Sequence, residues 1–390
     1  MALAAVLFAA LAQAASTCAT CHAPEREAEA GGAHAKAASC VDCHGGDARE
    51  SDKERSHGAG MKARLVRPSI PGACARCHSD ARRMNPYGLP TDQHAQYLTS
   101  KHGESLAKGN LQVAVCTDCH GAHGLRRARD PLSPVHPSRV PATCGRCHGN
   151  RELMEKLGHP WDAETQYRAG VHGELLKKGD LGAPHCATCH GNHGAAPPGF
   201  ADVGRVCGKC HVNQLDSFEA SPHAFYAKDG SFKGCVACHA NHRIVTAPKE
   251  ITGRCTPCHE GPDKEMKKFG DLCGILAGAR SDFERARERL ARASRAGLPT
   301  DDEEAALDRA RTSLLQLSPL QHTLSGEKVG VLAKTAAAQA ADVEARVDAK
   351  ERGERVKKLA LVPIWAFLAG LAWVFRAKGR RIEKPPGGSR

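Results

Sequence analysis

Cys116-Thr117-Asp118-Cys119-His120-Gly121-Ala122-His123-Gly124 decides how this chain is read. Seventy residues on, Cys186-Ala187-Thr188-Cys189-His190-Gly191-Asn192-His193-Gly194 repeats the same order of Cys, Cys, His, Gly, His and Gly. The core of both stretches, two Cys separated by two residues and followed at once by His, occurs nine times in 390 residues. The pairs are Cys18 and Cys21, Cys40 and Cys43, Cys74 and Cys77, Cys116 and Cys119, Cys144 and Cys147, Cys186 and Cys189, Cys207 and Cys210, Cys235 and Cys238, and Cys255 and Cys258. They use 18 of the 19 cysteines and leave Cys273, which reads as a small buried residue.

Cys-x-x-Cys-His is the attachment signal for c-type haem. Two thiols add to the vinyl groups of one porphyrin, and the adjacent His binds iron from one face. Structural zinc would take its Cys pairs two at a time at fixed spacing, with no His after each. Nine disulfides would not need the His either. The motifs therefore predict nine covalently bound c-type haems, with His22, His44, His78, His120, His148, His190, His211, His239 and His259 as proximal iron ligands.

The repeat supplies the second face of the iron. A shift of 70 residues lays Cys74 on Cys144 and Cys116 on Cys186, and Gln96, Tyr97, His102-Gly103-Glu104 and Lys108-Gly109 on Gln166, Tyr167, His172-Gly173-Glu174 and Lys178-Gly179, without a gap. A shortened third copy runs from Cys207 through His223 to His242. Each two-haem unit carries one His before its second motif and one three residues after it. The later His lies too close to its own motif His to wrap round the same porphyrin, so it is expected to bind a different haem and staple two together. This selects His102, His172, His223, His123, His193 and His242 as distal ligands. By looser analogy His34 and His57 join them, and His322 makes nine. His94, His136, His159 and His185 read as surface or propionate-binding residues, and Met84 and Met154 as core.

Composition agrees with this reading. Aromatic residues are 4% of the chain, with 39 Gly and 22 Pro, too little bulk for an ordinary core in the motif region. The expected fold is mostly α with much irregular coil, packed on haem. The formal charge of +12 reads as a set of propionate partners rather than a nucleic-acid surface.

Residues 1–14 read as a signal peptide, with an apolar run from Leu3 to Ala12 and a small-x-small site at Ala12-Gln13-Ala14, although no Lys or Arg follows Met1. Residues 15–262 read as the nine-haem domain. In 263–356, Leu272, Leu276, Ala279, Phe283, Ala286, Leu290 and Ala293 form a heptad seam. Gly297-Leu298-Pro299 breaks it, and Thr300 with Glu303 predicts a capping box. Leu307, Ala310, Leu314 and Leu317 continue the seam on a second helix, and Ser318-Pro319 predicts the start of a third that ends near Arg355. The segment is expected to be a helical hairpin or three-helix bundle. Residues 357–376 read as one transmembrane helix around the uncharged run Leu359–Phe375, and 377–390 as a cytoplasmic tail. Haem attachment takes place outside the cytoplasm. The expected location is thus the inner membrane, with the bulk of the protein in the periplasm.

The doubled motifs and Cys-His-Gly-x-His-Gly at 119–124 and 189–194 resemble the multihaem c-type cytochromes of respiratory bacteria, of the cytochrome c3-like and quinol-dehydrogenase types. The resemblance covers residues 18–260 and implies bis-His haems in stacked and T-shaped pairs. It also implies electron transfer in anaerobic respiration, from a membrane quinol-oxidising complex to periplasmic redox proteins or outer-membrane acceptors, with no catalytic residue. Quinol-dehydrogenase members carry an N-terminal anchor, whereas the apolar run here is C-terminal. The alternative is a reductase of nitrite, hydroxylamine or a sulfur oxyanion. It needs one open iron where His34, His57 or His322 fails to bind, with His94 or His159 as acid. All nine motifs end in His, against the Lys that often marks the active haem of such enzymes.

Overall fold

The computed structural model describes residues 17–58, 60–62, 64–259 and 264–382. The signal-peptide reading at 1–14 and most of the tail lie outside them. The described chain is mostly helical, and no strand occurs in it. It falls into two compact units. The first holds the chain up to Val206 together with Lys233–Ile251, and the second holds Cys207–Phe232 with the chain from Thr252 onward. Seven motifs thus belong to the first unit, while the motifs at Cys207 and Cys255 belong to the same unit as the C-terminal helices.

The first unit is a string of short helices and turns. Its buried apolar side chains, among them Ile70, Met84, Val115, Val140 and Met154, are scattered along the chain. The two contiguous apolar clusters found among the described residues both lie in the second unit.

The second unit has four helices that matter here: α1 (Val212–Glu219), α2 (Lys264–Arg295), α3 (Asp301–Leu320) and α4 (Gly326–Ile382). Helices α2, α3 and α4 run up, down and up. All seven expected seam residues of α2, from Leu272 to Ala293, are buried. One cluster gathers Leu272, Leu276, Ala279, Leu317, Val329, Ala333 and Ala336; the other gathers Ala286, Leu290, Ala293, Ala306, Ala340, Val343 and Val347. Ion pairs between Arg285 and Glu344 (3.0 Å) and between Arg289 and Asp348 run along the α2–α4 seam.

Three expectations for this region are corrected. The capping box does not form: Thr300 Oγ1 donates to Glu304 instead, and Glu303 is buried against Lys350 Nζ at 2.6 Å. The α3 seam is Glu303, Ala306, Ala310, Ser313 and Leu317, with Leu307 and Leu314 only on its flank. Ser318-Pro319 does not start a helix. Pro319 is tolerated in the last turn of α3, and the break comes at a short 3₁₀ turn, Gln321–Thr323, ended by Leu324 at φ +56°. Ser325 Oγ then accepts from Lys328 N and caps α4. His322 therefore sits in the turn between helices, not in the first turn of the third.

Helix α4 does not stop near Arg355. It runs 57 residues without interruption, about 85 Å, and its apolar stretch has a mean hydropathy of 1.8 with no part buried. Among the described residues it is the one helix long and apolar enough to cross a membrane.

Candidate functional site

Seven of the nine motifs are built on about one turn of helix, while those at Cys207 and Cys255 run through hydrogen-bonded turns. Cys40–His44, Cys116–His120, Cys186–His190 and Cys235–His239 are such turns, and Ile70–His78 and Val140–His148 carry the motif at the C-terminal end of a nine-residue helix. Residues i, i+3 and i+4 share one helix face. Two thiols and an imidazole are thereby presented together. The second cysteine of every motif can be reached from outside: Cys21, Cys43, Cys189, Cys210 and Cys258 are exposed, and Cys77, Cys119, Cys147 and Cys238 are half-buried. Of the first cysteines, Cys40 is exposed and Cys18, Cys74, Cys116, Cys144, Cys186, Cys207, Cys235 and Cys255 are half-buried. Cys273, expected to be buried, is also only half-buried, because it stands beside Leu272 on the edge of the α2 seam.

The turns of the second, fourth and sixth motifs are capped from within. Asp42 and Asp118 accept from the backbone N of Ser39 and Val115 at 2.7 Å, and Thr188 accepts from His185 N at 3.1 Å. The Ser39 hydrogen bonds, backbone first, hold the Asp42 carboxyl below its usual range. Each turn then ends on a residue with positive φ and ψ near 180°: Gly45 (φ 72°), Gly121 (86°), Gly191 (79°) and, in the eighth motif, Ala240 (62°). That region is essentially glycine-only, which explains the Gly after His in three of the four.

The histidines come together in pairs. Ring centroids lie 6.1 Å apart for His22–His57, 6.0 Å for His34–His78, 6.0 Å for His44–His123, 6.1 Å for His102–His148, 6.1 Å for His120–His193, 6.0 Å for His190–His242 and 6.2 Å for His223–His259. Every pair joins one motif His to one of the expected distal residues. His57 faces the motif before the one it follows, and His123, His193 and His242 each reach back two motifs. His34, His102 and His223 each skip the next motif and face the one after it.

The spacing fits one iron between two imidazoles. A metal–imidazole bond is about 2 Å and the ring centroid lies about 1 Å behind the nitrogen, which sets two rings on opposite faces about 6 Å apart. The interplanar angles range from 12° to 75° while the distance stays between 6.0 and 6.2 Å. Rings packed on each other change separation as they turn from stacked to edge-on. Rings sharing a central ion keep theirs. No cluster of three or more His, Cys, Asp or Glu suited to a bare metal occurs among the described residues, and a porphyrin iron asks for only two.

Hydrogen bonds select the ring nitrogen. Nδ1 of His44, His57, His190, His239 and His322 lies 2.9, 2.8, 3.3, 2.7 and 3.0 Å from the carbonyl oxygens of Lys62, Lys53, Ala196, Val245 and Pro319. A carbonyl only accepts, so Nδ1 carries the proton and Nε2 keeps its lone pair for a metal. Burial lowers the pKa of His78, His102, His120, His148, His193, His223 and His242, which favours the neutral, ligating form.

His102 is positioned by a tight helix junction. Ser100 Oγ accepts from Gly103 N at 3.0 Å and caps the helix Lys101–Ala107. His172 stands at the matching place in the helix Val171–Lys177, half-buried like His102. A Cβ on Gly103 would lie 2.0 Å from the Tyr97 carbonyl oxygen, and one on Gly173 would lie 2.2 Å from that of Tyr167. Glycine after His102 and His172 is thus a packing requirement. Tyr97 and Tyr167 donate to the carbonyls of Ala114 and Pro184, both at 2.9 Å, tying this junction to the following motif. Burial first, then nearby thiols, pushes both phenols up to about 12.

Two residues of the motif region escaped the sequence reading. Arg76 donates to the Asp42 carbonyl at 2.7 Å, and Arg146 donates to the Asp118 carbonyl. Each occupies the third position of its motif and grips the third position of the one before. They stand 70 residues apart, a signal the repeat already held. The thiols of Cys74 and Cys116 lie near each other, as do those of Cys144 and Cys186, so these neighbouring motifs meet at their cysteine edges.

Of the spare histidines, His136 is buried, which removes the surface half of its expectation, with Nδ1 2.8 Å from Ser138 Oγ. His185 is half-buried, and its Nδ1 has no partner. His94 is partly buried and His159 exposed. Met84 and Met154 are buried side chains. No family model matches the sequence, and no solved structure matches the fold.

Proposed function

We propose that the protein is a membrane-tethered multihaem c-type cytochrome. In this reading it relays electrons in the periplasm between a quinol-oxidising membrane partner and periplasmic or outer-membrane acceptors. The observation that carries the reading is the constancy of the seven His pairs, 6.0–6.2 Å at any ring angle, each with one motif His. Covalent haem would supply one-electron redox chemistry at iron.

The chain's own residues have four tasks. The cysteine pairs, from Cys18 and Cys21 to Cys255 and Cys258, would hold the porphyrins by thioether bonds. The His pairs would hold the iron, and backbone carbonyls fix the tautomer of His44, His57 and His190 among them. Arg76 and Arg146 lock consecutive motifs at a set separation. At the seven paired motifs, two imidazoles per iron would leave no face for a substrate, which favours a relay over a reductase. Helix α4 would anchor the chain, with its motif-bearing bulk on the periplasmic side.

The test is chemical and spectroscopic. Protein purified from membranes is expected to yield nine haems per chain in an alkaline pyridine assay. Low-temperature EPR of the oxidised form is expected to show low-spin iron alone. A stoichiometric high-spin haem that binds nitrite or CO would replace the relay with the reductase. A chain without haem would end both.

A further inference from the structure

The second unit has a direction. Helix α1, which starts directly after His211, packs on α3 and on the turn Gln321–Thr323. Cys255 lies within electrostatic reach of Cys273, which follows Leu272 of the first apolar cluster. The His223–His259 pair belongs to the same segment. Both motifs of this unit therefore sit at the end of the bundle where α3 finishes and α4 begins.

The apolar run is at the other end. From Val329, in the cluster beside the motifs, α4 passes through Val343 and Val347 of the second cluster before it reaches Leu359. Thirty residues of continuous helix separate Val329 from Leu359, a rise of about 45 Å. Pro363 is the one proline inside α4 and lies past Leu359, so a bend there would leave the length of the stalk unchanged. A tilt of about 20° shortens the height by less than a tenth.

We propose that the bundle is a spacer that holds the Cys207 and Cys255 motifs about 45 Å above the membrane surface. A partner that exchanges electrons directly with these two motifs carries its cofactor at that height, which quinol within the bilayer does not. Electron tunnelling falls exponentially with distance and is negligible across such a gap. The proposal rests on the haem and membrane readings above, and it narrows the partner those readings left open.

The experiment uses the full chain in lipid nanodiscs. Electron microscopy is expected to place the Cys207 and Cys255 end of the bundle about 40–45 Å from the disc, and insertion of two helical heptads after Arg355 is expected to widen that gap by about 20 Å. That end lying on the disc, or a gap that ignores the insertion, overturns the spacer. In the same discs, quinol in the lipid is expected to reduce the haem absorbance at least 100-fold more slowly than a water-soluble reductant. Equal rates, with each quinol delivering two electrons to two ferric irons and releasing two protons, overturn the proposed partner. Absence of any haem band would refute the function proposed above while the gap still reports on the spacer.

Discussion

Residues 264–350 bury Leu272, Leu276, Leu290, Leu317, Val329 and Val343 in two contiguous clusters, whereas residues 17–206 bury Ile70, Val115, Val140 and Met154 one at a time. The bundle carries its hydrophobic interior in its own sequence. The motif region is held by turns, caps and carbonyl hydrogen bonds around paired histidines that do not touch. Apolar burial dominates folding free energy, so the two regions should differ most when the expected interior of the motif region is withheld. Expression without haem attachment, or Ser at the motif cysteines, is expected to abolish the cooperative fold of the motif region. The bundle should keep its helices. Circular dichroism with limited proteolysis checks this: a protected fragment near 264–356 is expected, and equal loss of both regions would dissolve the contrast.

The converse perturbations strike the bundle alone. Leu317 is 1% exposed in the first cluster, and Leu317→Ala is expected to cost about 3–4 kcal/mol through lost burial and a cavity. Lys350→Met strands Glu303, whose side chain is 3% exposed, without its cation, and costs roughly 3 kcal/mol, less than a fully buried pair because Lys350 is 33% exposed. Denaturant melts followed by helix signal should shift in both variants. Spectra of haems at the seven motifs of the first unit should not, and a change there would mean that the units are not independent.

Legibility followed the same divide. The α2 seam was readable to the residue because a long amphipathic helix repeats one local rule over many turns. The α3 seam is legible at Ala310 and Leu317 but falls one position away from Leu307 and Leu314, at Ala306 and Ser313; Ser313 and Glu303 are polar residues at buried positions, satisfied by Gln339 and Lys350. The end of α3 was misplaced because Pro319 reads as a helix start, yet it lies in the last turn and only Leu324 breaks the chain. In the motif region, every His of the seven pairs was identifiable from spacing and count. The partner of each was not: His123 meets His44 across 79 positions, a contact that no local pattern encodes. The grips by Arg76 and Arg146 lay within the 70-residue repeat but needed the packing of consecutive motifs to acquire meaning.

Gly103→Ala perturbs the motif region at one point. Its Cβ would meet the Tyr97 carbonyl oxygen at 2.0 Å, which backbone must yield to. The expected cost is about 2 kcal/mol, with displacement of His102 from His148. One low-spin EPR signal should convert to high-spin while the bundle melts unchanged. A variant with every signal intact would show that the junction does not position His102.

The smallest effect has the opposite sign. Ala240 takes φ 62° and ψ 177°, where the matching residues after the second, fourth and sixth motifs are Gly45, Gly121 and Gly191. Its motif has Ala237 where the others have Asp42, Asp118 and Thr188, so it also lacks the side chain that caps the turn. A non-glycine residue in this region carries strain of order 1 kcal/mol or more. Ala240→Gly relieves it but adds freedom to the unfolded chain, leaving a net gain of about 0.5–1 kcal/mol. The gain should appear as a higher midpoint for the motif region, with the bundle transition fixed. The same change in a bundle helix, such as Ala286→Gly, should cost at least as much as this one gains, since there glycine removes buried surface and loosens the helix. Opposite signs for one substitution would separate a region held by backbone geometry from one held by side-chain burial.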